Sequence, residues 1–197
     1  MSLTDADITS ALAPAGLQFI KRVHGDVRDP LPPGKGAATC GDEDGRFDSS
    51  PDDIVDVHDP DLAVKVNAGW WRMASEYGLL DEQREFLLAV DYSEPEAIGF
   101  EIGWARVRLL DEWDLAGSGV AAIKSYFAAA FTDRFVPEFT MLSLDGRMLL
   151  NTTVWGNGTV STIVIRPDRE RTEGPHPSAG SVRRTALAQK RWWGICL

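Results

Sequence analysis

The sequence has few of the residues that bind metals or form disulfide bonds. Its 197 residues include only two cysteines, Cys40 and Cys196, and three histidines, His24, His58 and His176. Because these residues are far apart in the chain, neither a disulfide framework nor a zinc site is predicted. Glycine-rich phosphate-binding motifs and the Gly-x-Ser-x-Gly elbow of hydrolases are missing as well. We therefore predict no metal and no cofactor, and the sequence leaves open whether the protein is an enzyme.

Long hydrophobic runs are also missing. A membrane-spanning helix needs a stretch of about eighteen apolar residues, and the sequence has none. The residues from Met1 to Asp5 lack the basic and apolar regions of a signal peptide. These absences predict a protein without a membrane span, in the cytoplasm.

Positive charge is scarce in most of the chain. Residues 1–166 contain 14 Lys and Arg against 27 Asp and Glu, a net charge of −13, whereas residues 167–197 contain 6 against 3, a net charge of +3. An acidic surface repels the phosphates of nucleic acids and of anionic membranes, so no nucleic-acid binding by this part is predicted. The charge favours a basic protein as partner, although acidity that serves only solubility is the simpler explanation.

The strongest structural pattern is a three-stranded meander near the end of the acidic part. Three segments rich in β-branched and apolar residues run from Glu138 to Leu144, from Arg147 to Trp155 and from Thr159 to Arg166. Asp145-Gly146 and Gly156-Asn157-Gly158 separate them. Asp-Gly and Asn-Gly favour the tight turns of β-hairpins, so we predict an antiparallel meander.

A long helix is predicted immediately before the meander, from Ser118 to Phe135. Its apolar residues recur at spacings of three and four, which places them on one face of a helix: Val120, Ile123, Phe127, Phe131 and Phe135. We expect this helix to pack across the sheet, with Phe127 and Phe131 in the core.

Helices and a strand are also predicted earlier in the chain. Thr4 is suited to cap a helix that extends through Ala13, and a strand follows from Leu17 to Val23. A second helix runs from Asp61 to Tyr77, and Gly78 ends it. Trp70 lies on the apolar face of this helix and Trp71 beside it, so we expect Trp71 to be the more exposed of the two.

A hairpin is predicted after the second helix. Leu79 to Glu85 is a candidate short helix, and Phe86 to Tyr92 pairs with a strand from Ala97 to Leu109. The apolar residues of the second strand change parity along its length, which predicts a β-bulge near Ala105.

Residues 24–60 are predicted to form a long acidic loop, because they are rich in proline, glycine and aspartate. Arg46 and Phe47 occupy positions that an EF-hand loop reserves for an oxygen ligand and for glycine, so calcium binding is not predicted. The loop is instead a candidate partner-binding surface, formed by Asp42, Glu43, Asp44, Asp48, Asp52 and Asp53.

A candidate pocket is predicted where carboxylates lie near tryptophans in the sequence, because an apolar wall can raise the pKa of a carboxyl group enough for acid–base catalysis. The residues proposed for it are Trp71, Glu101, Trp104 and Trp113. Solvated carboxylates without a catalytic role are the alternative explanation.

Together these elements predict an α+β fold with a curved antiparallel sheet, made of a hairpin and a meander, and a long helix packed across it. Residues 1–167 form one domain, and residues 168–197 form a basic tail that we expect to be disordered. The order of elements is similar to that of the cone-shaped fold of nuclear transport factor 2 and the polyketide cyclases. The similarity is topological only, because no motif matches a functional residue of that family.

Two functions remain open after this reasoning. The first is an acidic interaction module, such as an inhibitor or immunity-type protein that masks a basic partner; the acidic charge and the lack of catalytic motifs favour it. The second is a small-molecule-binding protein or an enzyme, such as a cyclase, isomerase or dehydratase, with a cone-shaped cavity. A closed, polar cavity in the structure would favour the second.

Overall fold

The computed structural model describes residues 2–24, 27, 50–94 and 100–165, although it leaves the side chains of residues 50–53 undescribed. Seven strands lie in this part of the chain: β1 (Leu17–Val23), β2 (Ser50–Asp56), β3 (Glu85–Asp91), β4 (Ile102–Leu109), β5 (Phe139–Leu142), β6 (Leu149–Val154) and β7 (Thr159–Ile165). Two α-helices accompany them, α1 (Asp5–Leu12) and α2 (Leu62–Tyr77).

All seven strands join one open antiparallel sheet, in the order β1-β4-β3-β5-β6-β7-β2. The architecture confirms the predicted α+β class and is consistent with a curved sheet. The meander of β5, β6 and β7 and the hairpin of β3 and β4 are both as predicted. Gly146 and Gly158 have φ angles of 72° and 77° in the turns of the meander, which is the conformation that the turn sequences favour.

The two helices pack against the same face of the sheet. Leu12 of α1 and Trp70 and Met73 of α2 belong to one buried cluster with Phe86 and Val107 of the sheet. This burial explains the apolar stripe of α2, whose end at Gly78 (φ 76°) is also as predicted. The main core therefore lies between the sheet and the helices.

Thr4 begins α1 as its sequence predicts. The Thr4 side chain accepts a hydrogen bond from the Asp7 backbone N–H, and the Asp7 carboxylate accepts one from the Thr4 backbone N–H at 2.8 Å. This reciprocal pair satisfies two amides that the helix itself leaves without partners.

The opposite face of the sheet is apolar at its centre. Leu87, Leu142, Leu149 and Ile165 are paired in register across four neighbouring strands, and all four are buried. A sheet with apolar residues on both faces has runs of hydrophobic residues rather than strict alternation, and β3 has such a run.

The predicted long helix from Ser118 to Phe135 is wrong. The segment instead contains two short 3₁₀ helices, Ala121–Ile123 and Phe127–Ala130. Its backbone bonds to a later segment, because Ser125 N donates to Val136 O at 2.8 Å and Glu138 N donates to Ile123 O at 2.8 Å. Those bonds occupy backbone groups that an α-helix would have used internally.

The apolar residues of this segment are consequently divided between two clusters. Val120 and Ile123 are buried in the main core, whereas Phe127 and Phe131 are only half-buried beside a second cluster. The rings of Phe127 and Phe131 form an edge-to-face pair with centroids 5.4 Å apart. The expectation that both are core residues is therefore wrong, and the helix that lies on the sheet is α2.

Three smaller predictions are also corrected. Residues 50–56 form the edge strand β2 rather than part of a loop. Leu79 to Glu85 forms no helix, because the Asp81 carboxylate accepts from the backbone of Gln83 and Glu85 and closes a turn. The pairing of β3 with β4 is continuous past Ala105, and the register shift lies instead in the pairing of β1 with β4, between Phe19 and Lys21.

Two predicted segments lie outside the described residues: most of the acidic loop, apart from residues 24, 27 and 50–60, and the basic tail 168–197. The division into one domain and a tail stays a prediction. Among the helices that the structure describes, none has the length and hydropathy to cross a membrane.

Candidate functional site

The structure does not bring the four candidate pocket residues together at one site. Trp71 and Trp113 lie together, with ring centroids 5.8 Å apart. Trp104 packs against the apolar cluster on the opposite face of the sheet. Glu101 is exposed, and its carboxylate lies 4.0 Å from the guanidinium of Arg22. Only the first two residues can therefore act at one site.

The candidate partner-binding carboxylates are not placed by the structure. Asp42, Glu43, Asp44 and Asp48 lie outside the described residues. Asp52 and Asp53 lie in strand β2, but their side chains are not described. Their role in binding stays a prediction.

Trp71 and Trp113 form a partly exposed apolar surface that we call the tryptophan shelf. Trp71 projects from α2 with 41% of its surface exposed, and Trp113 is half-buried beside it. Trp70 lies beneath them, fully buried, with its ring centroid 5.0 Å from that of Trp113 in an edge-to-face arrangement. The shelf thus continues the packing of the core, because both of its aromatic rings contact the fully buried ring of Trp70.

The main chain around Trp113 is held by contacts with the start of the chain. Gly16 has a φ angle of 73°, and a Cβ atom at this position would lie 2.5 Å from the Cα of Trp113. Only glycine therefore allows this close approach. Asp114 N also donates to Ala15 O at 3.2 Å, and Leu110 N donates to Gly16 O at 2.9 Å.

The same segment is joined to α2 by Asn67. Its amide donates to the Asp114 carboxylate at 2.7 Å and accepts from the Ala116 backbone N–H at 3.0 Å. Since Asn67 lies one helical turn before Trp71, these bonds hold Trp113 in position beside Trp71.

Arg84 lies at the border of the tryptophan shelf. Its guanidinium carbon is 5.7 Å from the ring centroid of Trp71. One of its terminal nitrogens lies 2.6 Å from the Asp111 carboxylate, and the other donates to Leu110 O at 2.9 Å. Its Nε is buried and has no hydrogen-bond partner among the described residues. Arg84 also has a φ angle of 61°, which is uncommon for a residue other than glycine.

Carboxylates outnumber cations around the shelf. Asp111 is fully exposed, and Glu112 between it and Trp113 is exposed as well. Glu82 is exposed in the turn that carries Arg84, and Asp114 is exposed next to Trp113. Among the described residues, no group of three or more His, Cys, Asp and Glu side chains is arranged to hold a metal ion. The shelf therefore presents an apolar centre with an acidic border.

A second charged group lies on the opposite face of the sheet, where Glu85 forms ion pairs with two arginines of β4. Glu85 has a side chain that is only 5% exposed, and it lies within ion-pair distance of Arg108 (2.5 Å) and Arg106 (2.6 Å). The hydrogen bonds from Arg108 and Arg106 hold the pKa of Glu85 below its ordinary value of 4.5, despite the opposing effect of burial. This carboxylate shares its two oxygens between two guanidinium groups.

An open cleft of about 410 Å³ adjoins that group. Its apolar wall includes Val23, Leu87 and Leu142, and its charged residues include Lys21 and Arg106. The cleft opens to solvent and lies on the face of the sheet opposite α2. It is neither closed nor predominantly polar, so it differs from the cavity expected of the alternative function.

Comparisons of the chain with models of known protein families, with curated proteins and with solved structures found no match. Sequence reasoning identified Trp71 and Trp113 but missed Arg84 as the neighbour of Trp71. The sequence carries little signal for Arg84, because its position depends on the turn closed by Asp81. The proximity of Asp111, Glu112 and Asp114 to Trp113 was evident in the sequence.

Proposed function

We propose that the protein is an acidic interaction module that binds a basic protein, in the manner of an inhibitor or immunity-type protein. The observation that supports this most directly is the exposure of Trp71 within a surface of carboxylates. Tryptophan is enriched among the residues that dominate binding at protein interfaces. Surrounding carboxylates attract a basic partner and increase the rate of encounter.

The charge of the chain is consistent with this proposal. Residues 1–166 have a net charge of −13, and the candidate partner-binding residues Asp42, Glu43, Asp44, Asp48, Asp52 and Asp53 belong to this part. Such a charge acts over a distance of about 8 to 10 Å at physiological salt, so it affects association more than the final contacts.

Binding of a small molecule is the second candidate, and the open cleft beside Leu87 and Arg106 favours it. Its lining combines apolar side chains with two basic residues and one carboxylate, Asp145, and the excess of positive charge suits a small anionic ligand with an apolar body. Typical ligand sites enclose 70 to 90% of their ligand, roughly, and an open cleft encloses less. We therefore place this function second.

Purification of the partner followed by kinetic measurements tests the proposed function. The immobilised chain is used to capture proteins for mass spectrometry, and the association rate of the purified partner is then measured between about 50 and 300 mM salt. We expect the rate to fall with salt, and to fall further when the six acidic residues 42, 43, 44, 48, 52 and 53 are replaced by Asn and Gln. A partner without excess positive charge, or a rate that does not depend on salt, would contradict the proposal.

A further inference from the structure

We propose that the tryptophan shelf binds an arginine side chain of the basic partner, whose guanidinium pairs with Asp111 and lies along Trp71. This inference rests on the proposed function and identifies the surface and the chemical group involved. An exposed aromatic ring of the shelf, Trp71, and an exposed carboxylate, Asp111, both lie against the guanidinium of Arg84.

Asp111 has a free oxygen for an incoming cation. Its Oδ1 accepts a hydrogen bond from Arg84 at 2.6 Å, and its side chain is fully exposed. Within the described residues, its Oδ2 has no hydrogen-bond or ion-pair partner. A carboxylate can accept about four hydrogen bonds, so pairing with Arg84 leaves most of this capacity unused.

Glu85 demonstrates the proposed arrangement in the same protein. One oxygen of Glu85 accepts from Arg108 and the other accepts from Arg106 at 2.6 Å. One carboxylate thus pairs with two guanidinium groups at once. A partner arginine at Asp111 would complete the same arrangement, with Arg84 as the first guanidinium.

Trp71 favours arginine over lysine as the partner residue. A planar guanidinium stacks on an indole ring and is hydrated more weakly than an ammonium group, so it loses less on binding. The chain's own Arg84 already lies over Trp71, with a separation of 5.7 Å. Since 41% of the Trp71 surface remains exposed, ring surface is available for a second cation.

The surrounding charges favour a cation despite the presence of Arg84. Asp111 neutralises Arg84, and Arg72 lies 3.7 Å from Glu76 on the outer side of α2. Glu82 and Glu112 are exposed and bring additional negative charge. The local charge is therefore negative, which favours a basic partner over an acidic one.

The test uses short peptides of alternating glycine and arginine, or glycine and lysine, as probes of the intact chain. Binding is followed at about 50 mM salt by the NMR signals of the tryptophan indole N–H groups, with Trp71 assigned through Trp71→Phe. We expect the arginine peptide to shift the signals of Trp71 and Trp113. We also expect it to bind roughly threefold or more tightly than the lysine peptide.

Two variants and one matched control test whether the arginine peptide binds at the tryptophan shelf. Asp111→Asn and Trp71→Ala should each raise the Kd of the arginine peptide by about five- to tenfold. Asp5→Asn is the control, because Asp5 is an exposed carboxylate 3.5 Å from Arg22, whose guanidinium lies over the buried Tyr92 ring. That site has the same charges but no exposed aromatic surface. Removing the Asp5 carboxylate should therefore leave the Kd of the arginine peptide unchanged.

The possible failures are distinguishable. If the arginine peptide binds but its Kd is the same in wild type, Asp111→Asn and Trp71→Ala, the tryptophan shelf is not the binding surface and this inference is wrong, while the proposed function stands. If neither peptide binds to the wild-type chain at low salt, this inference is wrong, and the proposed function is then decided separately by the salt dependence of the captured partner's association. Asp111→Asn keeps the test valid should Trp71→Ala perturb folding, since the Asp111 side chain is fully exposed.

Discussion

Asn67 and Asp114 are joined by a hydrogen bond of 2.7 Å that connects α2 to the segment carrying Trp113. The same Asn67 side chain accepts from the Ala116 backbone N–H. Asp114 in turn accepts from the Gly117 backbone N–H at 2.7 Å. The geometry of the tryptophan shelf therefore depends on a polar contact beside it as well as on ring packing.

We predict that Asn67→Ala destabilises the protein by about 1 to 3 kcal/mol, because it removes two hydrogen bonds and leaves the Ala116 N–H without a partner. Denaturant unfolding measures this loss, and near-UV circular dichroism reports the altered environment of Trp71 and Trp113. Gly117→Ala is a companion variant, since its Cβ would lie 2.3 Å from the Asp114 carboxylate and displace it. Unchanged near-UV spectra in both variants would contradict the proposed role of Asn67.

Trp70 and Trp71 are predicted to differ sharply in their contributions to stability. Trp70 is fully buried, and its indole N–H lies 3.2 Å from the Met141 sulfur, so Trp70→Ala should cost about 3 to 5 kcal/mol. Trp71 is 41% exposed, so Trp71→Ala should cost only about 1 to 2 kcal/mol. Denaturant unfolding of the two variants provides the measurement. Equal losses would mean that the exposed face of α2 is assigned wrongly.

The ion pairs of Glu85 should make stability depend on pH. Because Arg108 and Arg106 hold the pKa of Glu85 below 4.5, their stabilisation is present above that value and is lost as the pH falls through the folded-state pKa. Glu85→Gln should therefore lower stability by about 1 to 3 kcal/mol at neutral pH, and this difference should shrink below about pH 4. Thermal melts of wild type and variant across this range test it, and a constant difference would argue against the ion-pair explanation.

Removal of residues 168–197 should leave the fold intact. The last described strand, β7, ends at Ile165, and the three apolar clusters each bring together many described residues that precede the tail. Circular dichroism and a thermal melt of the shortened chain test the prediction. A melting temperature lower by more than about 8 °C, which corresponds to several kcal/mol in a domain of this size, would show that the tail belongs to the core.

The parts of the fold that the sequence determined are those with local causes. Asp145-Gly146 and Gly156-Asn157-Gly158 specify tight turns through a few neighbouring residues, so the meander was predictable. The capping of α1 by Thr4 and the end of α2 at Gly78 likewise depend on residues within one turn of the helix. The exposure of Trp71 followed from helical spacing alone.

The segment from Ser118 to Phe135 shows where local patterns are insufficient. Its apolar spacing matches a helix, but Ser125 and Glu138 bind each other at 2.7 Å and the backbone pairs with residues 136–138. A bulky residue can be buried in several backbone conformations. Helical spacing of apolar residues is therefore compatible with a non-helical backbone when tertiary contacts favour it.

The candidate site was also decided by tertiary structure. Trp71 and Trp113 are far apart in the sequence, and they meet because Gly16 admits close backbone approach and Asn67 binds Asp114. Trp104 was separated from them by strand alternation, which turns it to the opposite face of the sheet from Ala105. The sequence by itself determined the acidic charge, the turns and the exposed tryptophan, whereas long-range backbone contacts decided which aromatic and charged side chains share one surface.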